Sequence, residues 1–134
     1  MKHAVHRVVL DTNVYVSAYG FGGKPAALVR AAIVGEYMLV VSPVILMELA
    51  DKLYEVLGFD DEHVRKVIQQ IARVAEVVRP KVTLCVVTEP DNRVLECAIA
   101  GGADVIVSSD KHLLSLGGYE NVRIARVAEW LHEL

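Results

Sequence analysis

At 134 residues, 54% hydrophobic and 23% charged, the chain has the size of one globular domain: long enough to bury a sizeable core, too short for a second independent one. Its apolar runs are broken by charge or glycine before they reach membrane-spanning length, and the opening stretch to Arg7 lacks the apolar segment and cleavage site of a secretory signal, so a cytoplasmic protein is expected. A formal net charge of −3 argues against nucleic-acid binding by basic excess, except where carboxylates gathered in a site pull the total negative while its rim stays basic.

In chain order, Val8-Val9-Leu10 is a short apolar run followed by Asp11-Thr12-Asn13, turn and cap residues, which predicts a buried strand leading into a helix. The glycine-rich stretch from Gly20 to Gly23 interrupts that helix, and Pro25 suits the first turn of the next, with Leu28, Val29, Ala32 and Ile33 on one face. That stretch lacks the Gly-x-x-x-x-Gly-Lys-Ser/Thr pattern of a phosphate loop and reads as a turn over the edge of a site. Met38 to Val41 has the length of a strand. Ser42-Pro43 supplies an N-cap and first-turn proline for a helix running to about Gly58.

Asp60 caps a further helix to about Ala75, with Val64, Val67, Ile68, Ile71 and Val74 inward. Leu84 to Val87 reads either as a short strand or as an ordered approach to the helix that Asp91 opens and Gly101-Gly102 ends. Asp104 to Ser108 is a second clear buried strand, and Val122 to Ala125 a last one before a helix around Trp130. Cys85 and Cys97 have neither the close pairing nor the histidine neighbours of a zinc site, and read as packing residues. Strands alternating with helices imply a three-layer α/β/α sandwich around a parallel sheet, one domain over residues 1–134 with no internal repeat or linker.

In an open parallel sheet, residues just beyond the carboxyl ends of strands converge on a crevice where the strand order reverses. Asp11 and Asp110 hold such positions, and Asp91 at a helix start can face the same crevice. Should the three meet, their repulsion requires a cation, and hard oxygen ligands favour magnesium or manganese over zinc. Each of these acids is equally suited to capping a helix. Glu48 shares a helical face with Asp51, Lys52 and Glu55, so spacing alone reads it as part of a solvated stripe.

Taken together, these segments resemble the PIN-domain family from about Val8 to Trp130. Leu10-Asp11-Thr12-Asn13-Val14 looks like its first acidic motif, and Ser42-Pro43-Val44-Ile45-Leu46-Met47-Glu48-Leu49 like the helix bearing its second acid. Asp91 to Ala98 is similar to the third motif. Ala103 to Leu114, containing Ser108-Ser109-Asp110-Lys111-His112, is similar to the fourth and is the most specific of the set. The resemblance implies a parallel sheet of order 3-2-1-4-5. It further implies that Asp11, Glu48, Asp91 and Asp110 hold one or two Mg²⁺ or Mn²⁺ ions, that Asn13 and Ser108 support them by hydrogen bonds, and that the chain is an RNA-cleaving nuclease. The family more often carries Thr at the position of Ser108, and further Asp residues where Thr88-Glu89-Pro90 stands, which raises Glu89 and Glu96 as additional ligands.

Lys111 and His112 beside the fourth acid, Arg93 beside the third, and Lys24 with Arg30 after the glycine stretch are candidate phosphate contacts, each also readable as an ordinary solvated side chain. Short members of the family resemble the toxins of VapBC-type toxin–antitoxin pairs, which implies a homodimer and a small antitoxin partner. Leu46, Leu49 and Leu53 read as core rather than as dimer surface. Three other readings compete. A haloacid-dehalogenase-type phosphoryl transferase needs a second acid where Asn13 stands, and a phosphoacceptor receiver domain needs an acidic pair near Asp11 that is missing. A catalytically silent PIN-fold binding module is disfavoured by the presence of all four acids.

Overall fold

The computed structural model describes residues 6–89 and 91–134. The elements are β1 (Arg7–Leu10), α1 (Thr12–Phe21), α2 (Gly23–Ile33), β2 (Met38–Val41), α3 (Pro43–Glu55), α4 (Asp61–Val74), β3 (Glu76–Val77), α5 (Asp91–Ala100), β4 (Val105–Val107), α6 (Lys111–Leu116), β5 (Gly118–Tyr119), β6 (Val122–Ala125) and α7 (Val127–Glu133). They form a six-stranded sheet of order β3-β2-β1-β4-β6-β5, parallel except for the edge pair β5–β6. Successive residues of a strand face opposite sides, so the complete burial of Val8, Val9 and Leu10 means that helices cover both faces of β1.

Local signals set the boundaries of several helices. The Ser42 hydroxyl accepts from the N–H of Ile45 with Pro43 in the first turn, and the Asp60 carboxylate accepts from the N–H of His63 at 2.8 Å. Between α1 and α2, Gly22 and Gly23 take φ of 77° and 66°, which an L side chain rarely adopts, so the chain turns there and restarts as helix. Leu49 and Leu53 are wholly buried and Leu46 is partly so, and Val64, Val67 and Ile71 carry the inward face of α4.

Of the two readings of Leu84 to Val87 the ordered approach to α5 holds, and the expected strand order gains an edge. Leu84 to Val87 is not a strand, because side chains of α5 take its backbone donors: Glu96 accepts from Leu84 N–H at 2.7 Å, and Asn92 from the N–H groups of Val86 and Val87, each at 2.9 Å. The third parallel strand is instead the two-residue β3, and Cys85 lies exposed on the displaced segment while Cys97 is buried. The edge strand β5, antiparallel to β6, adds to the expected order. Among the described residues no helix is long and apolar enough to cross a membrane.

Candidate functional site

The strand order reverses between β1 and β4, whose neighbours β2 and β6 lie on opposite sides. The chain therefore leaves the carboxyl ends of these two strands into a shared crevice. Asp11 follows β1 directly and its N–H is held by the carbonyl of Val107 at the end of β4, 2.9 Å away. It occupies the N-cap position of α1, yet its carboxylate makes no capping bond. Instead it accepts from the Ser108 hydroxyl at 2.8 Å, and the same hydroxyl accepts from the N–H of Asp110 at 2.9 Å. Ser108 thus ties the first acid to the fourth. Asp110 does cap α6, accepting from the N–H groups of His112 at 2.8 Å and Leu113 at 3.4 Å.

Asp91 enters from the first turn of α5, where its carboxyl stands against that of Asp110. Burial and the negative charge of Asp110 push the Asp91 carboxyl up to about 7, with Asp11 and Glu48 adding to the shift. Asp110 is held below the usual carboxylate range instead: burial opposes its ionisation, but the His112 N–H, the Asp91 side chain and the Leu113 N–H outweigh it. Asp11 is raised by burial, with the Ser108 bond opposing; Asp110 and Glu48 repel it further while Lys52 relieves it. The charges of Asp110 and Glu48 thus act on both Asp11 and Asp91.

Glu48 is half-buried on α3 and separates from the exposed Asp51 and Glu55 that share its helical face. Its carboxylate lies 3.4 Å from the Lys52 ammonium, which also donates to Asn13 at 2.8 Å. Asn13 thus reaches the crevice through Lys52 rather than by touching an acid. The placement of Lys52 could not be read from the sequence, since its contact with Asn13 depends on α3 lying beside α1. Asn92, also unforeseen, is buried, and its amide donates to Val87 carbonyl at 2.7 Å while its carbonyl collects two N–H groups, fixing the loop that delivers Asp91.

The remaining candidates divide by location. Lys111 and His112 are exposed on the first turn of α6 beside Asp110, and Lys24 lines a cavity of about 350 Å³ whose wall includes Ser108. Arg30 lies apart, in a cavity with Tyr19 and Gln70. Arg93 is taken up by Glu96 at 2.7 Å, Glu89 at 3.2 Å and the Leu84 carbonyl at 3.3 Å. Glu96 is occupied by Arg93 and Leu84 N–H, so both it and Glu89 serve the loop before α5. Another cavity of about 350 Å³, between Pro80, Leu84 and the end of α5, contains none of the crevice acids.

Among the described residues no three His, Cys, Asp or Glu side chains form a ready-made metal-ligand set. The donor chemistry nevertheless fits a hard cation: all the groups are carboxylates, and burial with neighbouring negative charge raises Asp11 and Asp91, a repulsion that such an ion would relieve. Magnesium keeps several waters, so one or two direct carboxylates suffice.

Residues 7–112 match the family model described as the PIN domain. Among solved structures, the chain is similar to a structure described as VapBC2 from Rickettsia felis bound to a DNA fragment from their promoter. That match has TM-score 0.62 and 15% identity, over 90% of this chain and 98% of that one. It is also similar to PAE2754 from Pyrobaculum aerophilum, with TM-score 0.62 and 18% identity over 96% of this chain and 88% of the other. A search of curated proteins finds no match.

Proposed function

We propose that this chain, which belongs to the PIN-domain family, is a divalent-metal-dependent endoribonuclease that hydrolyses RNA phosphodiester bonds. The single observation carrying this reading is the gathering of carboxylates at the reversal of strand order, where the Ser108 hydroxyl ties Asp11 to Asp110, and Asp91 and Glu48 lie near enough for their charges to act there. A structural role for these acids would call for capping bonds or cationic partners. Asp110 does cap α6 and Glu48 does face Lys52, but Asp11 makes no capping bond and Asp91 stands against another acid, so capping and pairing leave two of the four unexplained.

Asp11, Asp91 and Asp110 would hold Mg²⁺ or Mn²⁺, with Glu48 acting directly or through water. Such an ion lowers the pKa of a bound water and neutralises charge building on the phosphate. The chain's own residues prepare the place. Ser108 orients Asp11, the N–H groups of His112 and Leu113 keep Asp110 ionised, and Asp91 holds a proton until a cation replaces it. Lys52 occupies the Glu48 side of the crevice, where its charge moderates the repulsion among the acids. An anionic phosphate is a poor target for direct carboxylate attack, so no covalent enzyme intermediate is required.

The likeness to a VapBC structure supports a toxin role with a small protein antitoxin, and Val44, Met47 and Tyr54, exposed on α3, offer apolar surface for such a partner or for a second copy of the chain. The test of the central reading is cleavage of a defined RNA by purified protein. Activity is expected with Mg²⁺ or Mn²⁺, to disappear with chelator, and to be abolished in Asp110→Asn while the fold persists. Equal activity in that variant contradicts the assignment. Cation binding without any cleavage would instead favour the silent binding module.

A further inference from the structure

We propose that a groove lined by Lys24, Arg126 and Lys111 binds the backbone phosphates of single-stranded RNA and lays the strand beside the acid crevice. This rests on the nuclease reading only for the direction in which the strand leads. The cavity of about 350 Å³ between α1, the start of α2 and the start of α7 adjoins a second of about 220 Å³ along α6. Ser109 and Arg126 line both, so the two form one groove with Lys24 at one end and Lys111 at the other.

The groove is lined by cations and hydroxyls and holds no acid, although acids outnumber Lys and Arg by 17 to 14 in the chain as a whole. Among the described residues other cations such as Arg30 stand singly in their cavities, whereas Arg7, Lys52, Lys66, Arg93 and Arg123 have acidic partners. Lys24, Lys111 and Arg126 have none; all three are exposed, and hydroxyls of Ser17, Ser109 and Ser115 lie between them. Cations and hydroxyl donors without competing carboxylates suit phosphodiester oxygens.

Continuity with the crevice comes from Ser108, which lines the larger cavity and donates to Asp11. The need for such a groove follows from the same charges that would collect a cation: a cluster of acids repels a polyanion, so positive charge beside it must hold the strand. No aromatic side chain lines either cavity, so bases find no stacking platform there and the contact is indifferent to sequence. Arg126 itself gave no signal in the sequence, because it reaches the groove only once β6 is laid next to β4.

The experiment is fluorescence anisotropy of a labelled twelve-nucleotide single-stranded RNA with the intact chain in EDTA, where metal-dependent cleavage cannot occur. The triple variant Lys24→Gln/Lys111→Gln/Arg126→Gln is compared with wild type and with Arg79→Gln/Lys81→Gln, two cations of the distant cavity. Binding by the triple variant is expected to weaken roughly ten-fold or more, with the slope of log affinity against log salt falling by about 2, and to the same extent for a second RNA sequence. The single change Arg126→Lys, which keeps the charge, should restore most of the affinity lost in Arg126→Gln. In cleavage assays with metal the triple variant should raise KM and leave kcat near wild type.

Unchanged RNA binding in the triple variant, equal loss in the control pair, absence of wild-type binding, or stronger binding of a poly-glutamate peptide than of RNA each overturns the proposal. Binding that depends on the groove in a protein that never cleaves RNA leaves the groove standing and removes the nuclease reading. Cleavage with binding indifferent to the groove does the reverse.

Discussion

Ser108 shows how much one hydroxyl organises: it donates to Asp11, accepts from the N–H of Asp110, and is completely buried. Ser108→Ala removes both bonds and leaves the buried Asp11 carboxylate without its strongest opposing interaction. Outer partners of metal-holding carboxylates are worth about 10- to 100-fold in metal affinity or activity, and a loss of that size is expected here. Ser108→Thr, which keeps the hydroxyl, should recover part of it. Mn²⁺ affinity and RNA cleavage measured on both variants check this, and a Ser108→Ala protein as active as wild type contradicts it. Asp11 and Asp110 were legible in the sequence because each stands just beyond an apolar strand, Asp110 after two serines, whereas the role of Ser108 came only from the family resemblance. Lys52 was legible only as a surface charge, since nothing local says that the Asn13 amide stands opposite it.

At the scale of elements, α5 is the piece on which the site depends. Its first turn carries Asp91, while Asn92 and Glu96 hold the preceding loop and Arg93 joins Glu89 to Glu96. Its buried residues Val94, Leu95 and Ala98 belong to the core with β1, β2 and β4. The helix can lie this close to the sheet because Gly101 closes it. A Cβ there would collide with the Cγ1 of buried Val40 and stand 3.3 Å from the Cys97 carbonyl. Gly101→Ala is therefore expected to destabilise the fold by about 1 to 3 kcal/mol through overpacking. Urea unfolding reads this directly; a variant as stable as wild type would show that β2 and α5 separate without cost.

Helices and core strands were readable at this scale from periodicity and caps, as Ser42-Pro43 and Asp60 illustrate. The segment Leu84 to Val87 looked strand-like because it is an apolar run, but side chains of the helix that follows it, Asn92 and Glu96, accept from its N–H groups instead of a neighbouring strand. The two-residue strands Glu76–Val77 and Gly118–Tyr119 are too short to leave a pattern in the sequence. They are defined by the strands they pair with.

For the whole molecule, the fold gathers negative charge on one side of Ser108 and positive charge on the other, which a net charge of −3 conceals. Gathering the acids has a consequence for stability. Since Asp91 is raised from 3.8 to about 7, the folded protein holds a proton that the unfolded chain has released, and the metal-free protein loses stability as pH rises across that window. A cation bound among these carboxylates would oppose the trend, since it would replace the proton.

Calorimetric titration with Mn²⁺ at pH 6 and pH 8, in buffers of different ionisation enthalpy, tests the central claim most directly because it counts ions and protons together. Tighter binding at pH 8, release of about one proton per ion at pH 6, and loss of binding in Asp11→Asn are expected. Absence of Mn²⁺ binding, or an affinity indifferent to pH with no proton released, contradicts the account.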